Sequence, residues 1–423
     1  PNTFTTEHKQ ISKEAYMKKR SAWLLAPLLS LVTITSACSD DNSDTLSSPS
    51  SESSAVEVGQ EIINEPTSQA EPITDINPVA AGLARAQQVV DRHSMAPNQI
   101  TLTEPVSSPP ESGKTVAWIA CEITCETFNP AFQEATDALD WKLEIISVAT
   151  VGNSTAILQA LDIGADFIAI TGTPPATITE EITIAKERGV GIFMCFDTTI
   201  PDPVNNNIFT NCAAEASAYT SGQIIANKVI VESGGKANVL MINIPDFEIL
   251  VSQREGAKSA YAKNCPNCTF QELTVTLDQL LTAGVPDVIV STLLTDDTIN
   301  WVHIATAGMA YGILDALDKA GLSEQVKVAG VGSDAVGLAD IVTGRYEFWT
   351  VNPVPYSAWL MVDGMVRTSV GDTIPGNGHI TLPLPTYIVD TAGEAQKILD
   401  TPEQEFKGPA TMEDQFKALW GIG

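Results

Sequence analysis

The chain is 423 residues long and carries 52 Asp and Glu against 23 Lys and Arg, a formal net charge of −29. Nucleic-acid affinity comes largely from Lys and Arg displacing counterions from phosphates, so this acidic balance excludes that class of partner. The length allows two domains or more, and 44% hydrophobic residues are enough for packed cores over most of it.

Met17-Lys18-Lys19-Arg20 forms a basic start, and the run from Ala22 to Ile34 is apolar except for Pro27 and Ser30. A bilayer span needs about 20 apolar residues, so this stretch predicts a signal peptide over 1–38. Thr35-Ser36-Ala37-Cys38 resembles a bacterial lipobox, in which the thiol is lipidated and the chain is cut before it; Thr35 stands where lipoboxes carry Leu, Val or Ile. An ordinary small-residue cleavage site with an incidental Cys is the alternative. The sixteen residues before Met17 read as an upstream start or a cloning artefact. Anchoring through Cys38 would place the protein on the periplasmic or outer face of a membrane.

Residues 39–112 hold twelve acids against Arg85 and Arg92 and are rich in Ser and Pro. Such a stretch buries too little apolar area to offset its ordering entropy, which predicts a flexible acidic tether. A short helix is expected near 79–92, where Leu83, Ala86, Val89 and Val90 recur at helical spacing.

From Thr115 the pattern alternates. Strands are expected at Thr115–Ala120, Leu143–Ala149, Phe167–Thr171 and Gly191–Phe196, with helices from Asn129-Pro130, at Thr155–Ile163 and at Ile178–Arg188 between them. The alternation stalls at Pro201–Asn207 and resumes with helices at Ala218–Glu232, Ser252–Lys263, Val285–Leu294, Met309–Lys319, Asp334–Val342 and Tyr356–Thr368. Strands at Asn238–Asn243, Thr269–Thr276, Ile299–Ala305, Val326–Val331 and Glu347–Val351 fall between them. Near-continuous apolar strands point to parallel sheets covered on both faces, so the predicted class is α/β with two doubly wound, Rossmann-like sheets.

With Cys38 lipidated, six cysteines remain, and in an oxidising compartment they predict disulfides, with fifteen possible pairings. The preferred set is Cys121–Cys125, Cys195–Cys212 and Cys265–Cys268. The rival for Cys265-Pro266-Asn267-Cys268 is a redox pair or half of a zinc site, but no second CxxC and no His at ligand spacing accompanies it.

Ligands of doubly wound sheets bind beyond the carboxyl ends of the strands. The sequence has no GxSxG, Walker A or HExxH motif, and its four His are far apart. Gly330-Val-Gly332 with Ala335 is formally a GxGxxA, without an acidic ribose partner ending a later strand. No enzyme activity, cofactor or metal is expected. The loops instead offer Glu126, Phe128, Asn129 and Phe132; then Thr171; Asp197; Asp246-Phe247-Glu248; Thr306; Ser333-Asp334; and Asn352 to Tyr356. Aromatic faces and hydrogen-bonding groups of this kind suit a small polar ligand. Each also has a structural role open to it: Phe132 as a core residue, Asp334 as a helix cap.

These residues, in this order, resemble the type 1 periplasmic binding proteins, the ribose and galactose group of ABC-transporter solute receptors. The likeness spans roughly 114–390. It rests on Asn129-Pro-Ala-Phe132, on Phe193-Met-Cys-Phe-Asp197, on Arg254-Glu-Gly256, on Met309-Ala-Tyr-Gly312 and on Val328–Gly332 with Gly344-Arg345. The resemblance implies lobe one at 114–210 plus 353–380 and lobe two at 211–352 plus 381–392. Crossovers would fall near Asn211–Ala213, Asn352–Pro353 and Pro383–Tyr387, and residues 393–423 would pack on a lobe. It implies a ligand site with Asn129, Phe132, Asp197 and Asn352, enclosed by hinge closure, in a monomer that serves an ABC permease. A sensor that signals to a membrane kinase or chemoreceptor shares the same fold. Thr198 in place of Arg, Ala131 in place of Phe and Gly332 in place of a carboxylate point away from a pentose, towards another sugar-like, neutral or cationic solute.

Overall fold

The computed structural model of the protein describes residues 77–120 and 125–423, apart from the side chains of Glu126, Ala149 and Thr150. Cys38, Cys121, the signal segment and tether residues 39–76 lie outside the described residues.

Lobe one is built on a parallel sheet of order β2-β1-β3-β4-β5. Its strands are β1 (Thr115–Ala120), β2 (Lys142–Ser147), β3 (Phe167–Thr171), β4 (Gly191–Cys195) and β5 (Ile208–Cys212). Strands β3 and β4 are buried at every residue because both of their faces are apolar and covered. Edge strand β2, with Lys142 and Glu144 in its run, stays half-exposed. The connecting helices are α2 (Asn129–Asp137), α3 (Asn153–Asp162) and α4 (Thr179–Glu187), preceded in the chain by α1 (Pro78–Arg92).

Lobe two holds a parallel sheet of order β7-β6-β8-β9: β6 (Asn238–Asn243), β7 (Thr269–Thr274), β8 (Trp301–Ile304) and β9 (Lys327–Gly330). Its main helices are α5 (Glu215–Glu232), α6 (Glu248–Asn264), α7 (Leu277–Leu281), α8 (Val285–Leu293), α9 (Ile313–Ala320) and α10 (Ala335–Val342). Helices α5 and α6 cross in near contact at two glycines. A Cβ on Gly222 would meet Gln253 O at 1.9 Å, and one on Gly256 would meet Tyr219 O at 1.9 Å. Only hydrogen fits at either point.

The chain passes between the sheets after β5, after β10 (Trp349–Val351) and before β11 (Tyr387–Val389), and β10 and β11 pair antiparallel. Helix α11 (Val354–Val370) follows the second passage and packs on β4 and β5, so lobe one is completed by chain that has already visited lobe two.

From Asn77 onward the expected tether is instead a packed strap. Asn77 Oδ1 accepts from Val79 N at 3.0 Å and starts α1, which docks on lobe two through Arg85, bonded to Asn264 Oδ1 at 2.9 Å and Lys263 O at 2.8 Å. Beyond it the strap reaches lobe one: Thr101 N and Oγ1 bond Tyr356 Oη at 2.9 and 2.6 Å, and Arg367 donates to Glu104 O at 2.6 Å. The buried Ile100 and Leu102 explain why low overall hydrophobicity did not leave this part loose: two well-placed side chains enter a core supplied by other elements. The C-terminal segment also divides, with α12 (Ala392–Leu399) against α10 and α13 (Met412–Trp420) against α11.

Disulfides join Cys195 to Cys212, at the ends of adjacent strands β4 and β5, and Cys265 to Cys268, in the turn from α6 to β7. Cys125 is disulfide-bonded, but its expected partner Cys121 lies outside the described residues. No described helix is long and apolar enough to cross a membrane.

Candidate functional site

Where the carboxyl ends of β4, β5, β8 and β9 converge, a cavity of about 220 Å³ opens between the two sheets. Its floor is Phe196, Ala213, Ala305, Thr306, Val331 and Gly332; its walls are Ser217 and Ser221 from α5, Leu250 and Gln253 from α6, and Asn352, Val354 and Leu384 from the crossovers. The glycine contact between α5 and α6 is what brings Ser221 and Gln253 to the same wall. Gln253 is fixed by donating from Nε2 to Ala305 O at 2.9 Å. Phe196 adopts a left-handed φ of 59°, and its backbone N–H donates to Cys212 O at 2.9 Å, so the chain turns sharply at the strand end and sets the ring over the cavity.

The lining carries no ionisable side chain. Hydroxyls and amides alternate with apolar surface, and the volume is about seven waters' share of the liquid. Such a site suits a small neutral solute with hydrogen-bonding groups on one side and carbon on the other.

Thr306 and Asn352, both expected in the site, line this cavity. Asp197 follows Phe196 at the mouth, half-buried, where its Oδ1 accepts from Thr199 N at 2.8 Å and its carbonyl accepts from Asn211 Nδ2 at 2.8 Å. Its neighbour Thr198 donates to Glu248 Oε2 at 2.7 Å, a hydrogen bond from lobe one to the start of α6 in lobe two. A Thr at this position therefore bridges the mouth of the cleft.

The other expected residues fall elsewhere. Phe128 and Phe132 pack around Trp118, at centroid distances of 5.3 and 4.6 Å, as part of the lobe-one core. Phe128 reaches the site indirectly, edge-on to Phe196 at 6.1 Å. Asn129 Oδ1 accepts from Trp118 Nε1 at 2.8 Å, and Thr171 Oγ1 donates to Cys195 O at 2.8 Å, so both brace the sheet. Phe247 lies in the turn before α6, 38% exposed. Asp334 caps α10 by accepting from Gly337 N at 3.0 Å, bonds Tyr311 Oη, and lines a separate cavity of about 190 Å³ with Asp315 and Arg345. Tyr356 is fully buried behind lobe one against the strap, and burial pushes its hydroxyl up to about 12. Nothing is described of the Glu126 side chain.

Sequence reasoning overlooked Phe196, Ser217, Ser221 and Gln253. The signal available was faint: Ser217 and Ser221 stand one turn apart at the start of a long helix, a spacing that marks one face without saying what the face meets. Gly330, the first glycine of the formal GxGxxA, is explained by packing, because a Cβ there would come 2.4 Å from the Trp349 ring. Among the described residues no three His, Cys, Asp or Glu are grouped to hold a metal ion.

Two parallel α/β lobes with a cavity at the strand ends between them define a two-lobed solute-binding protein. Residues 122–372 match the periplasmic binding protein domain, and the chain belongs to that family. Among solved structures it is similar to an ABC transporter periplasmic solute binding protein from Actinobacillus succinogenes 130z with bound D-allose. That match has 16% identity and a TM-score of 0.56, covering 67% of this chain and 99% of that one. It is likewise similar to the 5-methylthioribose transporter solute binding protein from Thermotoga lettingae TMO, at 17% identity and TM-score 0.58, over 76% of this chain and all of that one. An arabinose binding protein from Geobacillus stearothermophilus matches at 14% identity and TM-score 0.55, over 68% and 99%. No curated protein sequence matches the chain.

Proposed function

We propose that the protein is an extracytoplasmic solute receptor that encloses a small, neutral, sugar-like ligand between its lobes and delivers it to an ABC permease, held at the membrane through lipidated Cys38. The observation that carries this reading is the cavity between the sheets, lined by Ser217, Ser221, Gln253, Thr306 and Asn352 and by no charged group. The neutral lining favours an uncharged solute over the cationic one that the loop acids alone would also have suited. Phe196 offers a ring face for the carbon side of such a ligand. Closure would draw the two sets of strand ends together, with the Thr198–Glu248 bond on the path of that motion.

The test is thermal stabilisation against a panel of neutral sugars, among them D-allose and 5-methylthioribose, with amines and dicarboxylates beside them. A ligand at 100 times its Kd stabilises by about 2.7 kcal/mol. Stabilisation by dicarboxylates alone overturns the reading. Gln253→Ala should abolish the shift at some cost to the unliganded melt, and Asp197→Ala, at the mouth, should weaken it by less.

A further inference from the structure

Asn352 reaches the cavity from the second crossover, and its amide is held at one end. Thr386 Oγ1 donates to Asn352 Oδ1 at 2.9 Å, while among the described residues Asn352 Nδ2 has no hydrogen-bond partner. The other end of the amide is left for the cavity, beside Gly332, whose left-handed backbone (φ 73°) brings no side chain into that space.

Thr386 belongs to the third crossover and is 6% exposed. It is gripped from behind by the strap. Ile388 N donates to His93 O at 2.7 Å, so the strap lies along the free edge of β11, and His93 Nδ1 lies 3.1 Å from Thr386 O. A second bond, from Thr386 N to Leu384 O at 2.8 Å, tightens the same turn. His93 stands between α1, which is docked on lobe two, and the segment docked on lobe one. Hydrogen bonds thus run without a break from a strap outside the matched domain, through Thr386, to an amide at the ligand cavity.

We propose that Thr386 is a positioning residue that holds the Asn352 amide in place at the cavity, and that His93 of the N-terminal strap holds Thr386 in place for this. The physical need is plain: an amide already held by a neighbour loses less freedom when it meets a ligand. The assignment rests on the cavity being the ligand site, but its first test does not need a ligand.

In ¹⁵N-labelled full-length protein, the Asn352 side-chain amide pair is identified by its loss in Asn352→Asp. The pair should move in Thr386→Val, return close to its wild-type position in Thr386→Ser, and move in the same direction by less in His93→Phe, which keeps a ring but removes the donor. Thr386→Ala serves if the Val variant does not fold. An unmoved pair in the Val or Ala variant, or an equal shift in Thr386→Ser, overturns the positioning role; an unmoved pair in His93→Phe removes the strap from it. Binding is read separately with D-allose and 5-methylthioribose as probes. Loss of the fixed amide should weaken a bound probe roughly 2- to 10-fold, with Thr386→Ser near wild type. If neither probe binds the wild-type protein, the sugar reading fails while the amide shifts still decide the positioning role.

Discussion

The buried Asp363 of lobe one and the buried His303 of lobe two are held in opposite ways. In lobe one the fully buried Asp363 accepts from Arg367 Nε at 2.7 Å and Trp420 Nε1 at 2.9 Å, and His379 Nε2 lies 3.2 Å from the same carboxylate. Arg367 in turn bonds Glu104 O of the strap, and Trp420 of α13 stacks on Trp359 at 5.3 Å. One buried charge pair therefore lashes both terminal segments to α11. In lobe two some buried polar groups are paired, Asn264 with Asn227 Oδ1 at 2.7 Å and Lys228 with Glu232 and Asp390 at 2.7 Å, while others stand alone. His303 on β8, Asn243 at the end of β6 and the Tyr261 hydroxyl have no hydrogen-bond partner among the described residues, although Tyr261 and His303 face each other edge-on at 6.5 Å. Asp363 thus forms a polar lock inside an aromatic cluster, whereas His303 is simply enclosed by the packed core of lobe two. Removing Asp363 should therefore be costly, and removing an unpartnered group such as the Tyr261 hydroxyl nearly free.

The largest effect is expected from Asp363→Ala, which strands Arg367 uncompensated at 2% exposure. A loss of about 3–5 kcal/mol should appear in urea unfolding, with early exposure of the C-terminal helix to proteolysis. A loss below about 1 kcal/mol would erase the contrast between the lobes. Next comes Gly256→Ala, whose methyl group would fall 1.9 Å from Tyr219 O. Overpacking of this kind costs about 1–3 kcal/mol or more, and here it should also displace Gln253 from the cavity wall and weaken ligand binding.

Acid should separate the lobes further. Burial pushes the His303 imidazole down to about 3 from an ordinary 6.5, so the unfolded chain takes up a proton that the folded one refuses, and lobe two loses stability as pH falls from 6.5 towards 3. Burial alone would raise the Asp363 carboxyl, but the contacts with His379 and Arg367 outweigh it and hold it below the ordinary 3.8. That stability is present above 3.8 and is lost only as pH drops through the lower folded value. His303→Leu should therefore flatten stability between pH 6.5 and about 4 while leaving the steeper loss below it. A wild-type slope that persists in the variant would show that another group carries it. Smallest of all, Tyr261→Phe removes a hydroxyl without a partner, and the expected change in melting free energy is within about 1 kcal/mol, neutral or stabilising.

Much of the architecture was legible along the chain, and the reasons lie in particular segments. Phe167–Thr171 is an unbroken apolar run between polar turns, and the observed β3 has the same bounds. Helix α5 extends three residues before its expected start at Ala218, because Glu215-Ala-Ser carries no apolar period. Strand β5, Ile208–Cys212, was overlooked: five residues with Asn211 inside, after three consecutive Asn, look like loop until Asn211 Nδ2 is seen bonding the carbonyls of Asp197 and Thr199. The site was harder. Asn352 and Thr306 were found because they follow strands, whereas Ser217, Ser221 and Gln253 sit on helices whose cavity-facing side is set by their neighbours.

By itself, then, the order of apolar runs and turns determined an α/β chain with two parallel sheets, because burial on both faces leaves a one-dimensional signature that local physics can read. Only the tertiary structure decided that the acidic segment from Asn77 onward becomes a strap, that Tyr356 turns to the back of lobe one while Asn352 turns to the cleft, and that Asp363 binds both termini. Each of these depends on pairs far apart in sequence, such as Thr101 with Tyr356 or Trp420 with Asp363, and no local pattern records which distant partner a side chain will meet.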